Sequence, residues 1–294
     1  MTKAMIICNP SAGKEKARDL LPTAISNLKE VYDEVYVRET KQEGDAVVFA
    51  QDACVEQYDA VISMGGDGTV SETINGLAEQ RHRPAFGLIP LGTVNDFARA
   101  LSIPLDPEEA ACVVSSQRTK AADIGKINNQ FFMNVLAVGA VAEATYNVSV
   151  KQKTLLGPLA YLIEGGKALV KKTPFKLTVE HDSGKWQGES YLMVAALTNS
   201  VGGFNTVAPD ARINDGKIHV LIIKDLSLPN IMKIVPSLLW GELKKHDQVE
   251  YFQTSFLDVS SDEELAVNID GDEGVPLPFN AQILHKHLNV IVPN

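Results

Sequence analysis

Two units of different texture are predicted for this 294-residue chain: an open parallel α/β domain over residues 1–122 and a β-rich, sandwich-like domain over 123–284. Three observations carry that expectation. Up to about residue 120, short apolar runs alternate with helical segments, the pattern of parallel strands with covering helices. Beyond it, strand-length runs follow one another through turn residues such as Asn128-Asn129 and Asp182-Ser183-Gly184. The length also allows each half a core of its own. The tail, about 285–294, is a candidate to pack back onto the first domain.

In the first half, Ala4–Cys8 reads as a strand, Lys14–Glu30 as a helix and Glu34–Val37 as a strand. Gly44–Glu56 then reads as a helix, Ala60–Ser63 as a strand, Thr69–Ala78 as a helix and Phe86–Ile89 as a strand. Helical stretches Val94–Leu101 and Pro107–Ser115 close the domain. Open parallel sheets bind ligands at the carboxyl ends of their strands, where the loops after Cys8, Ser63 and Ile89 would meet. In the second half, Ile124–Ile127, Gln130–Val138, Phe175–His181, Trp186–Thr198, Lys217–Lys224, Gln248–Val259 and Leu265–Ile269 read as strands. Leu155–Lys172 and Pro229–Lys245 read as helices between them. No internal repeat or low-complexity segment is visible.

Composition excludes several function classes. A net charge of −10 argues against nucleic-acid binding, which needs a basic footprint to release counterions. The longest apolar runs, such as Tyr191–Leu197 and Ile218–Ile223, fall far short of the ~20 residues that span a bilayer. One Lys and a short apolar stretch before Asn9-Pro10 make no secretory signal. Cys8, Cys54 and Cys112 form no CxxC pair and suit the reduced thiols of a cytoplasmic protein.

The most informative stretch is Ser63-Met64-Gly65-Gly66-Asp67-Gly68-Thr69-Val70-Ser71-Glu72, between a strand and a helix. Its glycines let the backbone turn and approach an anion without Cβ interference, and amides at a helix N-terminus cradle phosphate. Thr69 and Glu72 have capping-box spacing. Asp67, an acid among phosphate-binding glycines, is placed to hold or orient a phosphate-bound Mg²⁺. The plainer reading, a tight turn with Glu72 as a cap, stands at even odds for this loop alone. Its neighbours shift the balance: Asn9-Pro10-Ser11-Ala12-Gly13-Lys14 follows the first strand, and Pro90-Leu91-Gly92-Thr93-Val94-Asn95-Asp96 a later one. Thr93 and Asp96 again have capping spacing. Neither a Walker A loop nor a G-x-G-x-x-G fingerprint is present.

These three loops, in this order and spacing, resemble the bacterial diacylglycerol kinase family, relatives of the sphingosine and eukaryotic diacylglycerol kinases. The matching elements are Asn-Pro-x-Ala-Gly-Lys, Gly-Gly-Asp-Gly-Thr-x-x-Glu and Pro-Leu-Gly-Thr-x-Asn-Asp-Phe-Ala. The resemblance implies a nucleotide-binding α/β domain of the NAD kinase and diacylglycerol kinase type, with a lipid-substrate domain after it. It implies a kinase that uses ATP and Mg²⁺ to phosphorylate a lipid hydroxyl, with diacylglycerol as acceptor and phosphatidic acid as product. ATP would be contacted by Asn9, Pro10, Ser11, Ala12, Gly13, Thr40, Gly66, Asp67, Gly68, Thr69, Val70, Ser71, Glu72 and Thr93. Many relatives have Gly or Thr where this chain has Val94.

Asp210-Ala211-Arg212-Ile213-Asn214-Asp215-Gly216-Lys217 reads by itself as an Asx-type hairpin turn. The family implies in addition a structural Mg²⁺ on the Asp215 carboxylate and the backbone carbonyls of Arg212 and Lys217. Asn268-Ile269-Asp270-Gly271-Asp272-Glu273-Gly274 reads as an acidic hairpin. In the family the segment runs Leu-Asp-Gly-Glu and supplies the base that accepts the hydroxyl proton. Asp270 matches, and the Glu position carries Asp272; the base is assigned to Asp272, with Asp270 orienting metal or base. His285 and His287, two apart on a strand, would share a face and make no zinc site.

A lipid substrate lives in a membrane. Lys151–Lys172 is a basic amphipathic helix able to lie on an anionic bilayer, and Ile231–Trp240, followed by Lys244-Lys245, is a second candidate. Core packing competes for both apolar stripes. The expected location is cytoplasmic with peripheral contact at the inner face of the membrane, and a homodimer is left open. Two rival functions remain: an NAD kinase-like enzyme, which would phosphorylate NAD, and a non-catalytic lipid or nucleotide sensor, which would bind ATP without transfer.

Overall fold

A computed structural model describes residues 1–13, 16–139 and 173–294. The expected helix Leu155–Lys172 and the basic stretch Lys151–Lys172 lie outside the described residues. In the first half, strands β1 (Lys3–Cys8), β2 (Glu34–Glu39), β3 (Ala60–Gly65) and β4 (Ala85–Pro90) alternate with helices α1 (Lys16–Leu28), α2 (Asp45–Val55) and α3 (Asp67–Leu77). Short helices α4 (Asp96–Ala100) and α5 (Pro107–Val113) follow. The strands pair in parallel in the order β2-β1-β3-β4. Burial on both faces explains the apolar run of β1 and the mostly apolar β3, whose one polar residue, Ser63, is buried. The chain order reverses beside β1, so the crevice for a ligand opens at the carboxyl ends of β1 and β3.

The second half is built from β5 (Thr119–Ile127), β6 (Gln130–Phe132), β7 (Val135–Gly139), β8 (Phe175–His181), β9 (Gly184–Ser190), β10 (Leu192–Ala196) and β11 (Ile218–Ile223). Helix α6 (Leu228–Leu239) precedes β12 (Val249–Thr254), β13 (Phe256–Ser260), β14 (Val267–Ile269), β15 (Asp272–Glu273) and the long β16 (Phe279–Ile291). One antiparallel sheet runs β12-β11-β10-β7-β14-β15. It faces the antiparallel part of the other sheet, β16-β13-β8-β9, and residues such as Leu136, Met193, Val220, Leu177, Leu257 and Phe279 fill the space between them. The outer face of the six-stranded sheet is covered by α6, with Ile231, Ile234 and Val235 against Ala137, Leu221 and Ile223.

Three expected strands are each two. Gln130–Val138 breaks at Met133-Asn134, Trp186–Thr198 at Tyr191, and Gln248–Val259 at Ser255. At every break the chain leaves one sheet for the other, the corner of a sandwich. Local partners take the freed amides. Tyr191 N–H donates to the Ile223 carbonyl at 2.9 Å, and Ser255 donates from N–H (2.6 Å) and Oγ (3.0 Å) to Asp182. Pro229–Lys245 is likewise interrupted: Gly241, at φ 69°, ends α6, with Gly241 N–H on the Leu238 carbonyl and Glu242 N–H on that of Ser237. A separate 3₁₀ turn covers Leu243–Lys245.

β16 belongs to both halves. Its start pairs with β13 and its end with β4, where Val290 is registered with Phe86. Against β5 the register shifts between Leu284 and Leu288, where Lys286 is left-handed at φ 51°. This bulge breaks the alternation that would have put His285 and His287 on one face. His285 Nδ1 bonds Asp123 at 2.9 Å, whereas His287 Nε2 accepts the Glu79 N–H at 2.9 Å.

Candidate active site

The three glycine-bearing loops meet at the strand ends. Asn9 N–H donates to the Met64 carbonyl at 2.9 Å, and Leu91 N–H to the Gly65 carbonyl at 2.8 Å. Asn9 Oδ1 accepts from the N–H (3.1 Å) and hydroxyl (2.8 Å) of Ser11, closing the turn through Pro10, Ala12 and Gly13. Thr40, after β2, donates its N–H to the Cys8 carbonyl at 2.9 Å. The second and third loops touch backbone to backbone: a Cβ on Gly92 would lie 3.0 Å from Gly66 Cα and 2.6 Å from Asn95 Oδ1. Gly68 differs. A Cβ there would meet nothing within 4 Å, so packing does not explain the glycine.

Neither capping box forms. α3 begins at Asp67 behind Gly66, with no side-chain cap. Glu72 instead reaches α2, where its Oε2 accepts the Ala46 N–H at 3.2 Å. α4 is capped by left-handed Asn95, not Thr93, and Thr93 stands exposed. The loop has already turned by residue 93, because Asn95 closes it on itself: Oδ1 accepts from Gly92 N–H and Nδ2 donates to the Gly92 carbonyl, both at 3.0 Å.

Asp67 faces this third loop. Its Oδ2 accepts the Asn95 N–H at 2.9 Å and its Oδ1 the Asp96 N–H at 3.2 Å. Burial lifts the Asp67 carboxyl above the ordinary range against the pull of those amides, and the neighbouring Asp96 adds to the lift. Each oxygen keeps one lone pair for a further partner. Asp96 itself is buried and crosses to the second domain, accepting from Ser200 Oγ (2.6 Å), Gly202 N–H (2.6 Å) and Gly203 N–H (2.9 Å). Sequence reasoning missed this clasp. Its signal in the sequence was an acid set directly before the apolar Phe97-Ala98.

Across from the loops stands the Asp270–Glu273 turn. Asp270, left-handed at φ 53°, accepts the N–H groups of Met133 (2.7 Å), Asn134 (2.9 Å) and Val135 (2.9 Å), the point where the chain passes from β6 to β7. Burial pushes its carboxyl up to about 6 although the three amides pull it down, and the charge on Asp67 adds to the rise. Asp272, two residues on, is exposed and has no such partners among the described residues. Partial burial, and Glu43 facing it from the first domain, raise its carboxyl above the usual range.

A cleft of about 620 Å³ separates the halves. One wall carries Ser71, Glu72 and Asn75 of α3 with Glu43 of the loop before α2; the other carries Ile269, Asp272 and Glu273. Asn75 ties the walls at their base, accepting from Phe131 N–H (2.9 Å) and donating to its carbonyl (3.0 Å). Ser71 and Glu72 are thus brought to one place with Asp272, and the charge on Asp67 reaches Asp270 in the same turn; the other predicted ATP-loop positions do not line this cleft.

Arg212, Asp215 and Lys217 are not part of it. Asp215 accepts the Arg212 N–H (3.0 Å), the Lys217 N–H (2.9 Å) and a bond from His219 Nε2 (3.0 Å). Bonding by His219 and the turn amides holds the carboxyl below its usual range although burial opposes it. The turn docks on buried Asp123, which accepts the Gly216 N–H at 2.7 Å. Among the described residues no cluster of three or more His, Cys, Asp or Glu could hold a metal. The donors left over are hard oxygens, one lone pair of Asp215 Oδ1 and the second of the Arg212 carbonyl, which is the chemistry Mg²⁺ takes.

Residues 3–127 match the family described as the diacylglycerol kinase catalytic domain, and residues 134–292 match the YegS C-terminal NAD kinase beta sandwich-like domain. The chain is 39% identical over 292 residues to a diacylglycerol kinase of Staphylococcus aureus (strain MRSA252), covering 99% of this chain and 93% of that protein. The diacylglycerol kinase of strain bovine RF122 / ET3-1 gives the same figures. A solved structure from Bacillus anthracis str. Sterne superposes with a TM-score of 0.85 at 26% identity, covering 99% of this chain and 95% of that one.

Proposed function

The chain belongs to the diacylglycerol kinase family and is an ATP-dependent lipid kinase, and we propose that its acceptor is diacylglycerol and its product phosphatidic acid. The observation that carries this reading is the cleft between the halves, which Ser71 and Glu72, just after the second glycine loop, share with Asp272 of the other domain, while the charge on Asp67 in that loop reaches Asp270 of the same acidic turn.

The amides and glycine backbones of residues 9–13, 66–72 and 92–93 would cradle the triphosphate at the N-terminus of α3. The lipid hydroxyl oxygen attacks the γ-phosphorus in line, the bond from that phosphorus to the β,γ-bridging oxygen breaks, and ADP leaves with the electron pair. Asp272 accepts the hydroxyl proton, a role its raised proton affinity favours. Asp270 positions that base by fastening its turn to the Met133–Val135 crossing. Mg²⁺ would neutralise charge on the phosphates, with Asp67 the carboxylate placed to hold it through its free lone pairs; the Asp215 turn is the candidate for a second, structural ion.

Incubation with radiolabelled ATP and a panel of diacylglycerol, a sphingoid base, phosphatidylglycerol and NAD tests the assignment. Labelled phosphatidic acid is expected. Label in another acceptor with none in diacylglycerol would replace this substrate.

A further inference from the structure

Among the described residues nine large hydrophobic side chains are exposed, and three of them, Leu228 (52%), Met232 (61%) and Trp240 (76%), lie on or at the end of α6. The helix buries Ile231, Ile234 and Val235 against the outer face of the six-stranded sheet. At 100° per residue Leu228, Met232, Pro236 and Trp240 form one row that turns by about 40° per step, from the edge of that buried face to the side opposite it. Lys233 is the single charged residue of the helix. Core packing therefore explains one face of α6 and leaves the flank unexplained.

We infer that this flank is a membrane seat: Leu228, Met232 and Trp240 enter the interfacial layer of a bilayer while Lys233 stays at headgroup level. The inference rests on the lipid-kinase reading, because an acceptor held in a bilayer requires the protein to meet one. Three features favour a bilayer over a second copy of the chain. The three side chains present on the order of 400 Å², about half of the ~800 Å² per partner that a stable dimer buries. An exposed Trp at a helix end, with Lys233 on the same helix, suits the boundary between acyl chains and headgroups. The sheet that carries α6 on its outer face also carries Asp272 on its terminal strand β15, so seat and base belong to one continuous element. The other tryptophan, Trp186, packs against the sandwich core, which leaves Trp240 as a clean reporter.

In a Trp186→Phe background, vesicles of equimolar phosphatidylglycerol and phosphatidylcholine should shift Trp240 emission to the blue. Met232→Asp with Trp240→Gln should cut vesicle flotation about tenfold. The same variant should lose about tenfold in activity on diacylglycerol in vesicles, yet keep wild-type activity on a short-chain diacylglycerol dissolved as monomers. Unshifted Trp240 emission, or a double variant that floats like wild type, overturns the seat. A wild-type dimer that the double variant splits also overturns it, since the flank is then a protein interface. Flotation needs no turnover, so a chain that binds vesicles but phosphorylates no lipid defeats the substrate assignment and leaves the seat standing.

Discussion

Asp270 and Asp272 sit in one turn and differ in exposure and in what they hold. Asp270 holds three backbone amides and has little freedom left; Asp272 is exposed, with only the charge of Glu43 across the cleft. Removing the Asp272 carboxylate should therefore touch chemistry and not folding. Asp272→Asn is expected to lower kcat by ~10²–10⁴-fold, with an unchanged melting temperature. The base works only when ionised, so kcat/KM should fall as pH drops through its raised value, placing the acid limb above the ordinary Asp range. Glu43→Gln removes a cause of that rise and should move the limb to lower pH; a limb that stays put would dissociate Glu43 from the base. Gly68 gives a second test at this scale. Its open surroundings admit a methyl group, so Gly68→Ala should leave stability intact, within about 0.5 kcal/mol, and raise KM for ATP.

At the scale of elements, the β-domain is made by strands that change sheets. A strand-length apolar run shows a sandwich only as a row of strands, and the break at a single Ser255 or Tyr191 carries no Gly or Pro to mark it. The corner at Ser255 depends on Asp182, which sits outside both strands it organises and whose carboxyl those bonds hold low. Asp182→Ala should cost about 1 kcal/mol in denaturant unfolding with no change in KM for ATP. A loss of ATP affinity instead would mean the corner communicates with the cleft. The same remoteness misled the capping assignments: Glu72 does cap a helix, but it is α2, brought alongside α3 by the fold.

Over the whole molecule, two devices join the halves besides the Asn75 tie to Phe131. β16 hydrogen-bonds into both, and Asp96 reaches from the nucleotide loop to Ser200, Gly202 and Gly203. Asp96→Ala strands these donors and should destabilise by about 3 kcal/mol or more, whereas Ser200→Ala should cost about 1 kcal/mol. Equal effects of the two substitutions in urea unfolding would show that the clasp does not depend on the carboxylate. No helix among the described residues is long and apolar enough to cross a membrane.

The sequence alone determined the parallel strands and their helices, the glycine loops at the strand ends and the acidic turn of the second half. Each of these is written in residues adjacent along the chain, as apolar periodicity, as glycine spacing or as a run of acids. The tertiary structure alone decided that Asp67 faces the Asn95 amide, that Asp96 clasps the second domain, that Asp270 fastens its turn to the β6–β7 crossing, and that Asp272 is the exposed carboxylate of that turn. Those assignments depend on partners 28 to 137 positions away, and a hydrogen bond is selected by distance in space, which no local pattern of residues encodes.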